Sequence, residues 1–234
     1  MRKFARWEST TMLDNVQIVH KNVKNISIKV KPTLEVVLTV PMDILQHEID
    51  HVLKKRHDWI LKQLEYFKKF MPESPKELVS GENFTYLGRN YRLKVSQSSI
   101  ESVKLIGGYL HVNLADKTSV SRKLQLIETW YKEKAHTYFT KIIAKYTQIV
   151  KKEVNKVSIR KMKTRWGSCN PKRSYINLNL ELIKKPTSAI EYVILHELVH
   201  LVHYNHDHNF YKYLATHMPD WQTRKNRLLI DHNK

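Results

Sequence analysis

His196, Glu197 and His200 stand at positions i, i+1 and i+4, in the order H-E-x-x-H. On an α-helix, residues four apart lie one above the other on the same face. Two imidazoles in that relation can hold one metal ion between them, and the adjacent carboxylate can act on a water at the ion. A third histidine, His206, follows six residues after His200. The chain carries this pattern twice: His47-Glu48-Ile49-Asp50-His51, with His57 six residues on, has the same spacing. Spacing alone does not separate the two copies, so their surroundings must.

The first copy sits in a helical stretch that Asp43 can cap. Its apolar residues Ile44, Leu45, Ile49, Val52 and Leu53 fall on one side at about 100° per residue. His47 and His51 lie opposite that side, facing water, and Lys54, Lys55 and Arg56 separate them from His57. Nothing there builds a dry cavity, and the pair reads as solvated histidines. The second copy has only Glu191 and Glu197 as charged residues between Ser188 and His203. Ile194, Leu195, Leu198, Val199, Leu201 and Val202 cover about half its circumference, which predicts a helix embedded in a core. Pro186 precedes it, and Ser188 with Glu191 forms a capping box, S-x-x-E. His196, Glu197 and His200 occupy the remaining side.

A tetrahedral Zn²⁺ needs its third ligand from another direction. The pattern predicts that the helix ends near Tyr204-Asn205, where asparagine tolerates the left-handed conformation that reverses a chain. His206 then returns toward the metal. His203 continues the helix too far along its axis to join, and His208 and Asp220 are rivals to His206. H-E-x-x-H-x-x-x-x-x-H is a spacing that metzincins share, although a glycine usually stands where this chain has His203.

The elements that must position these residues are legible in outline. Gln17 to His20, Ile26 to Val30 and Leu34 to Val40 alternate as strands, punctuated by Pro32-Thr33 and Pro41. A second helical stretch runs from about Asp58 to Phe70, and Met71-Pro72-Glu73-Ser74-Pro75 reads as a linker. Phe84 to Leu87 and Tyr91 to Val95, around Gly88, suggest a hairpin; Val103 to Ile106 and Tyr109 to Leu114, around Gly107-Gly108, suggest another. A long helix is predicted from about Ser119 to Val150. Val157 to Ile159 and Tyr175 to Leu180 read as strands, and helices follow the motif near Asn209 to His217 and after Pro219.

Composition bounds the setting. Of the 234 residues, 41% are hydrophobic, enough to build a core. Cys169 is the single cysteine, so no intrachain disulfide can form, which fits a reducing cytosol. The basic start Met1-Arg2-Lys3-Phe4-Ala5-Arg6-Trp7 is not followed by an apolar run, and no apolar run approaches the roughly 18 residues of a membrane span. A soluble, cytoplasmic protein is expected. The net charge is +19, and residues 141–185 hold 13 Lys or Arg against Glu153 and Glu181, which is +11 in that segment. A field of that sign favours a polyanionic partner, DNA among them, or a solvated basic face.

Several blocks in order resemble the YgjP-like metallopeptidase family, which is related to the SprT-like zinc proteins. Thr164-Arg165-Trp166-Gly167-Ser168-Cys169 matches its R-W-G-S-C signature, and Ile176-Asn177-Leu178-Asn179 with Leu182 matches I-x-L-N-x-x-L. Tyr192 to Leu201 matches Y-V-x-x-H-E-L-x-H-L, Asn205-His206 with Phe210 matches N-H-x-x-x-F, and Pro219-Asp220-Trp221 closes the series. The resemblance is specific in the last 75 residues or so and looser before them. It implies a zinc-dependent hydrolase with His196, His200 and His206 as ligands and Glu197 as the catalytic residue, and it places the His47 copy where the family has no metal site. The fold it implies is α+β: a β-rich region with helices over residues 1–115, then a mainly helical, zincin-like catalytic domain over 116–234, which can pack as one unit.

The chemistry expected is cleavage of a peptide bond in a protein or peptide substrate, with Zn²⁺ as cofactor. Three neutral imidazoles leave the ion positively charged with a fourth position open, and Glu197 serves as general base. Arg165, His208 and Tyr211 are candidates for stabilising the oxyanion or binding substrate. In the R-W-G-S-C block, Trp166 and Gly167 read first as packing and turn residues, and Cys169 as a small packed residue rather than a nucleophile. The alternative is a basic nucleic-acid-binding protein, or a DNA-recruited protease, whose metal site is structural or secondary. Three histidines beside a glutamate argue against a purely structural site, because structural zinc prefers cysteine and leaves no open position.

Overall fold

The computed structural model describes residues 16–31, 33–68 and 77–229. The basic stretch Met1 to Trp7, Pro32, Phe70 and the linker residues 71–75 lie outside them. The chain is a mixed α/β protein with five α-helices among the described residues, in keeping with the α+β expectation. It divides into two compact units at Pro72 and Glu73. The expected boundary at 115/116 would instead pass between a sheet and the helix that packs on it.

The first unit is a three-stranded sheet with one helix. β1 (Val16–His20) pairs in parallel with β3 (Val36–Val40), and β2 (Ser27–Val30) pairs antiparallel on the other side of β3. Alternation puts Val36, Leu38 and Val40 on one face of the central strand. These side chains pack with Ile49, Leu53, Ile60 and Leu64 of α1 (Gln46–Lys68). Two separate helical stretches were expected here, but they form one helix of 23 residues. Lys54-Lys55-Arg56-His57-Asp58 contains no breaker, so nothing interrupts the backbone ladder. The helix starts at Gln46, where the Glu48 carboxylate accepts from the Leu45 amide at 3.2 Å; this is not the cap expected from Asp43.

The second unit holds the motif. A four-stranded sheet has the order β4-β5-β7-β6, from β4 (Asn83–Tyr86), β5 (Arg89–Gln97), β6 (Ser102–Ile106) and β7 (Tyr109–Leu114). Both hairpins form as expected, and β5 and β7 pair in parallel between them. α2 (Val120–Val150) begins at Ser119, whose hydroxyl accepts from the Arg122 amide, and ends at Lys151 in the left-handed conformation. Its buried face includes Ile127, Tyr131, Phe139, Ile142 and Tyr146, and it packs against α3 (Thr187–Val199), the motif helix.

A second sheet of three strands, β8-β10-β9, precedes the motif helix. β10 (Tyr175–Asn179) lies between β8 (Lys156–Arg160), its parallel neighbour, and β9 (Gly167–Asn170), its antiparallel neighbour. A 3-10 turn over Leu180–Lys184 leads to α3; α4 (His208–His217) and α5 (Trp221–Asn226) follow. The tip of the first hairpin supports the entry to α3. The amides of Leu87 and Gly88 donate to the carbonyls of Ile183 and Lys184 at 2.9 and 3.1 Å. Gly88 has φ +76°, and a β-carbon there would lie 2.8 Å from Cα of Pro186. Only glycine meets both demands.

Candidate metal centre

Helix α3 is buried nearly all round. Ala189, Ile190, Tyr192, Val193, Ile194, Leu195, Leu198 and Val199 are all within the core, and a helix apolar on every side belongs there. The expected capping box does not form. Pro186 occupies the N-cap with no side-chain cap bond. Ser188 instead accepts from Arg227 at 3.0 Å, and the Glu191 carboxylate accepts from Arg224 at 2.6 Å and from the Tyr146 hydroxyl at 3.2 Å. Both capping residues are drawn into tertiary bonds, and those bonds hold α5 against α3. Arg224 also donates to Asp220 at 2.8 and 2.9 Å, so Asp220, a rival ligand in the sequence, is engaged there.

The helix ends earlier than its apolar pattern predicts. The last α-helical residue is Val199, and the reversal runs through 200–203, with the amides of Val202 and His203 both donating to the Val199 carbonyl. This early turn brings His206 back over the helix end. His206 Nε2 stands 2.9 Å from His196 Nε2. The ring centroids of His196, His200 and His206 are 4.6 to 5.0 Å apart, and one ligand nitrogen from each falls within 4.8 Å of the others. Among the described residues this is the one group of three or more His, Cys, Asp or Glu side chains that could hold a metal ion. The donor set, three imidazole nitrogens, is of the kind that zinc takes.

The chain also orients the rings. His200 Nδ1 lies 3.2 Å from the carbonyl of His203, so His203 serves through its backbone. Phe210, fully buried, sets its ring 4.8 to 4.9 Å from all three imidazoles and forms the floor beneath them. It is placed by Asp207, the N-cap of α4, which accepts from the Phe210 amide. The sequence showed Phe210 only as part of a matched block. Its i+4 position after His206, on the far side of a capping aspartate, was the available signal.

Glu197 is 6% exposed. Burial pushes its pKa up to about 8, opposed by the charge of Arg165. Burial, then the charges of His200, His206 and Lys225, push His196 down to about 3. His200 is lowered by burial and by His206, against the pull of its backbone bonds. Both rings are therefore neutral near pH 7, the form that ligates metal.

The R-W-G-S-C block lies against Glu197 through its glycine. Gly167 begins β9, and a β-carbon on it would lie 2.7 Å from both Cγ and Oε1 of Glu197. The loop before it is held by Asn179, a buried side chain on β10. Asn179 Nδ2 donates to the carbonyls of Met162 and Arg165 at 2.9 and 3.0 Å, while its Oδ1 accepts from the amides of Met162 and Glu181. Arg165 is exposed at the end of this loop. Tyr211, half-buried, stacks near His206 at 6.2 Å and on Trp221 at 5.2 Å. His208 is exposed in the first turn of α4, and no described ring contact joins it to the three imidazoles. The Cys169 thiol is pushed up to about 12 by burial and by Glu197.

The first H-E-x-x-H copy gathers nothing comparable. His47 and His51 are exposed on α1, and His57 sits beside Asp58 at 3.2 Å.

A family model described as YgjP-like, metallopeptidase domain, matches residues 24–230. A solved structure, the metallopeptidase zymogen of Pyrococcus abyssi abylysin, aligns with 19% identity over 39% of this chain and 91% of that one, with a TM-score of 0.37. No curated protein matches the chain.

Proposed function

The chain belongs to the YgjP-like metallopeptidase family, and from that premise we propose that it is a zinc-dependent, zincin-type peptidase with His196, His200 and His206 as ligands and Glu197 as general base. One observation carries the reading: three imidazoles come together at the end of a helix whose buried Glu197 directly follows one of them. Bound at the three rings, zinc would supply Lewis acidity toward a water and toward the scissile carbonyl.

The chain's own residues do the rest. The Glu197 carboxylate takes a proton from the attacking water and delivers it to the leaving amine. Arg165 and Tyr211 are the better-supported candidates for binding the substrate carbonyl: the charge of Arg165 is felt at Glu197, and Tyr211 lies beside His206. The lone cysteine suits a reducing cytoplasm, and no described helix is long and apolar enough to cross a membrane.

The test is metal content and hydrolysis together. Purified protein should carry one zinc per chain and cleave casein, lose both on chelation, and regain both on zinc addition. Cleavage that survives complete chelation would contradict the proposal.

A second reading adds to the first. Lys156, Arg160, Lys161, Lys163, Lys172 and Arg173 are all exposed on the second sheet and its loops, which favours a polyanion docking beside the site. Binding of DNA that weakens steeply with salt supports it; no retention at low salt removes it.

A further inference from the structure

His196 and His200 face the same requirement. An imidazole that ligates through Nε2 carries its proton on Nδ1, and that proton needs an acceptor to fix the tautomer and the rotation of the ring. For His200 the acceptor is the His203 carbonyl. For His196 the Nε2 side is turned to His206, and the neighbour of Nδ1 is the hydroxyl of Tyr192, at 3.5 Å. No other described group stands at hydrogen-bond distance from that nitrogen.

We propose that Tyr192 is a positioning residue of the metal centre: its phenol oxygen accepts the Nδ1 proton of His196 and fixes that ring in the orientation that presents Nε2 to the metal. The proposal rests on the metal-site reading above and deepens it. Spacing sets up the contact, since Tyr192 precedes His196 by four residues on α3 and the two rings share a face with centroids 5.7 Å apart.

The tyrosine is itself held in place. It is 5% exposed, and its ring stacks on Trp221 at 6.4 Å with 15° between planes. Trp221 belongs to α5, which is tied to α3 by the Arg224–Glu191 ion pair at 2.6 Å and by Arg227 on Ser188. The bonds that displaced the expected capping box thus keep the Tyr192 ring from turning away. A distance of 3.5 Å is at the long end of the hydrogen-bond range. A small approach of either ring shortens it, while the Trp221 stack prevents a large retreat.

Packing alone would also bury a tyrosine here, so the decisive atom is the hydroxyl oxygen. Tyr192→Phe removes it and keeps the ring. Tyr131→Phe is the control, because the Tyr131 hydroxyl donates to the Thr85 carbonyl of the first hairpin at 2.8 Å rather than to the Glu191 network. The experiment measures zinc dissociation constants by chelator competition and urea midpoints of the metal-free proteins, for wild type and both variants. Tyr192→Phe should weaken zinc on the order of 10-fold or more with an unchanged midpoint. Tyr131→Phe should lower the midpoint and leave zinc affinity alone. Zinc affinity of Tyr192→Phe within twofold of wild type overturns the proposal, as does a loss matched by an equal fall in metal-free stability. Wild type that binds no zinc overturns the metal-site reading itself, a separate outcome. Nitrogen NMR of zinc-loaded wild type needs no variant: a His196 Nδ1 proton in slow exchange with water supports the contact, and a freely exchanging one overturns it.

Discussion

Gly167 lies so close to Glu197 that a β-carbon added to it would stand 2.7 Å from the carboxylate oxygen Oε1. The edge strand β9 thereby acts as a wall against the Glu197 side chain, with no room for a further carbon unless one of the two shifts. Gly167→Ala must move either the strand or the glutamate. Overpacking of this kind costs about 1–3 kcal/mol, and displacing a reacting group by about 1 Å costs on the order of 100-fold in rate. The variant should keep its zinc and lose most of its kcat. Near-normal kcat would show that the wall can yield.

Asn179 anchors the loop that carries Arg165. Replacing it with alanine removes four side-chain hydrogen bonds at a buried position. Urea unfolding should show a loss of about 2–4 kcal/mol, with KM rising as the loop loosens. A change under about 0.5 kcal/mol would mean that the strands hold the loop without it.

Much of this site is legible in the chain because its chemistry is local. The i, i+4 relation of His196 and His200 is a property of any helix, and the nearly uncharged sequence around it signals burial. What is not legible depends on partners distant in sequence. Ser188 and Glu191 have the spacing of a capping box, but Arg227 and Arg224 claim them. The early end of α3 follows from backbone bonds to Val199 that no periodicity encodes. Residues Gly167 to Asn170 lack alternation, and they become a strand only because β10 pairs with them. The uninterrupted α1 is the converse case, where a charged stretch read as a break is simply an exposed helix face.

The thiol of Cys169 should be inert in the folded protein. Burial and the nearby Glu197 raise its pKa to about 12; a raised pKa favours the neutral thiol, so at pH 8 the reactive thiolate fraction is on the order of 10⁻⁴. Alkylation should be slow in the native state at pH 8 and fast in urea. Rapid labelling of native protein would contradict this placement.

The His47 copy should be dispensable. His47→Ala and His51→Ala alter exposed positions on α1, so zinc content and cleavage should match wild type, and stability should change by no more than about 0.5 kcal/mol. Loss of zinc in either variant would move the metal site to α1.

Glu197 is proposed to move a proton at a metal site it does not itself build. Glu197→Gln keeps the side chain's shape and removes its basicity. Zinc stoichiometry and casein cleavage, measured on the same preparation, test this most directly. Glu197→Gln should hold one zinc per chain, as in wild type, with cleavage reduced at least about 100-fold. A zinc-loaded Glu197→Gln protein that cleaves at the wild-type rate would contradict it.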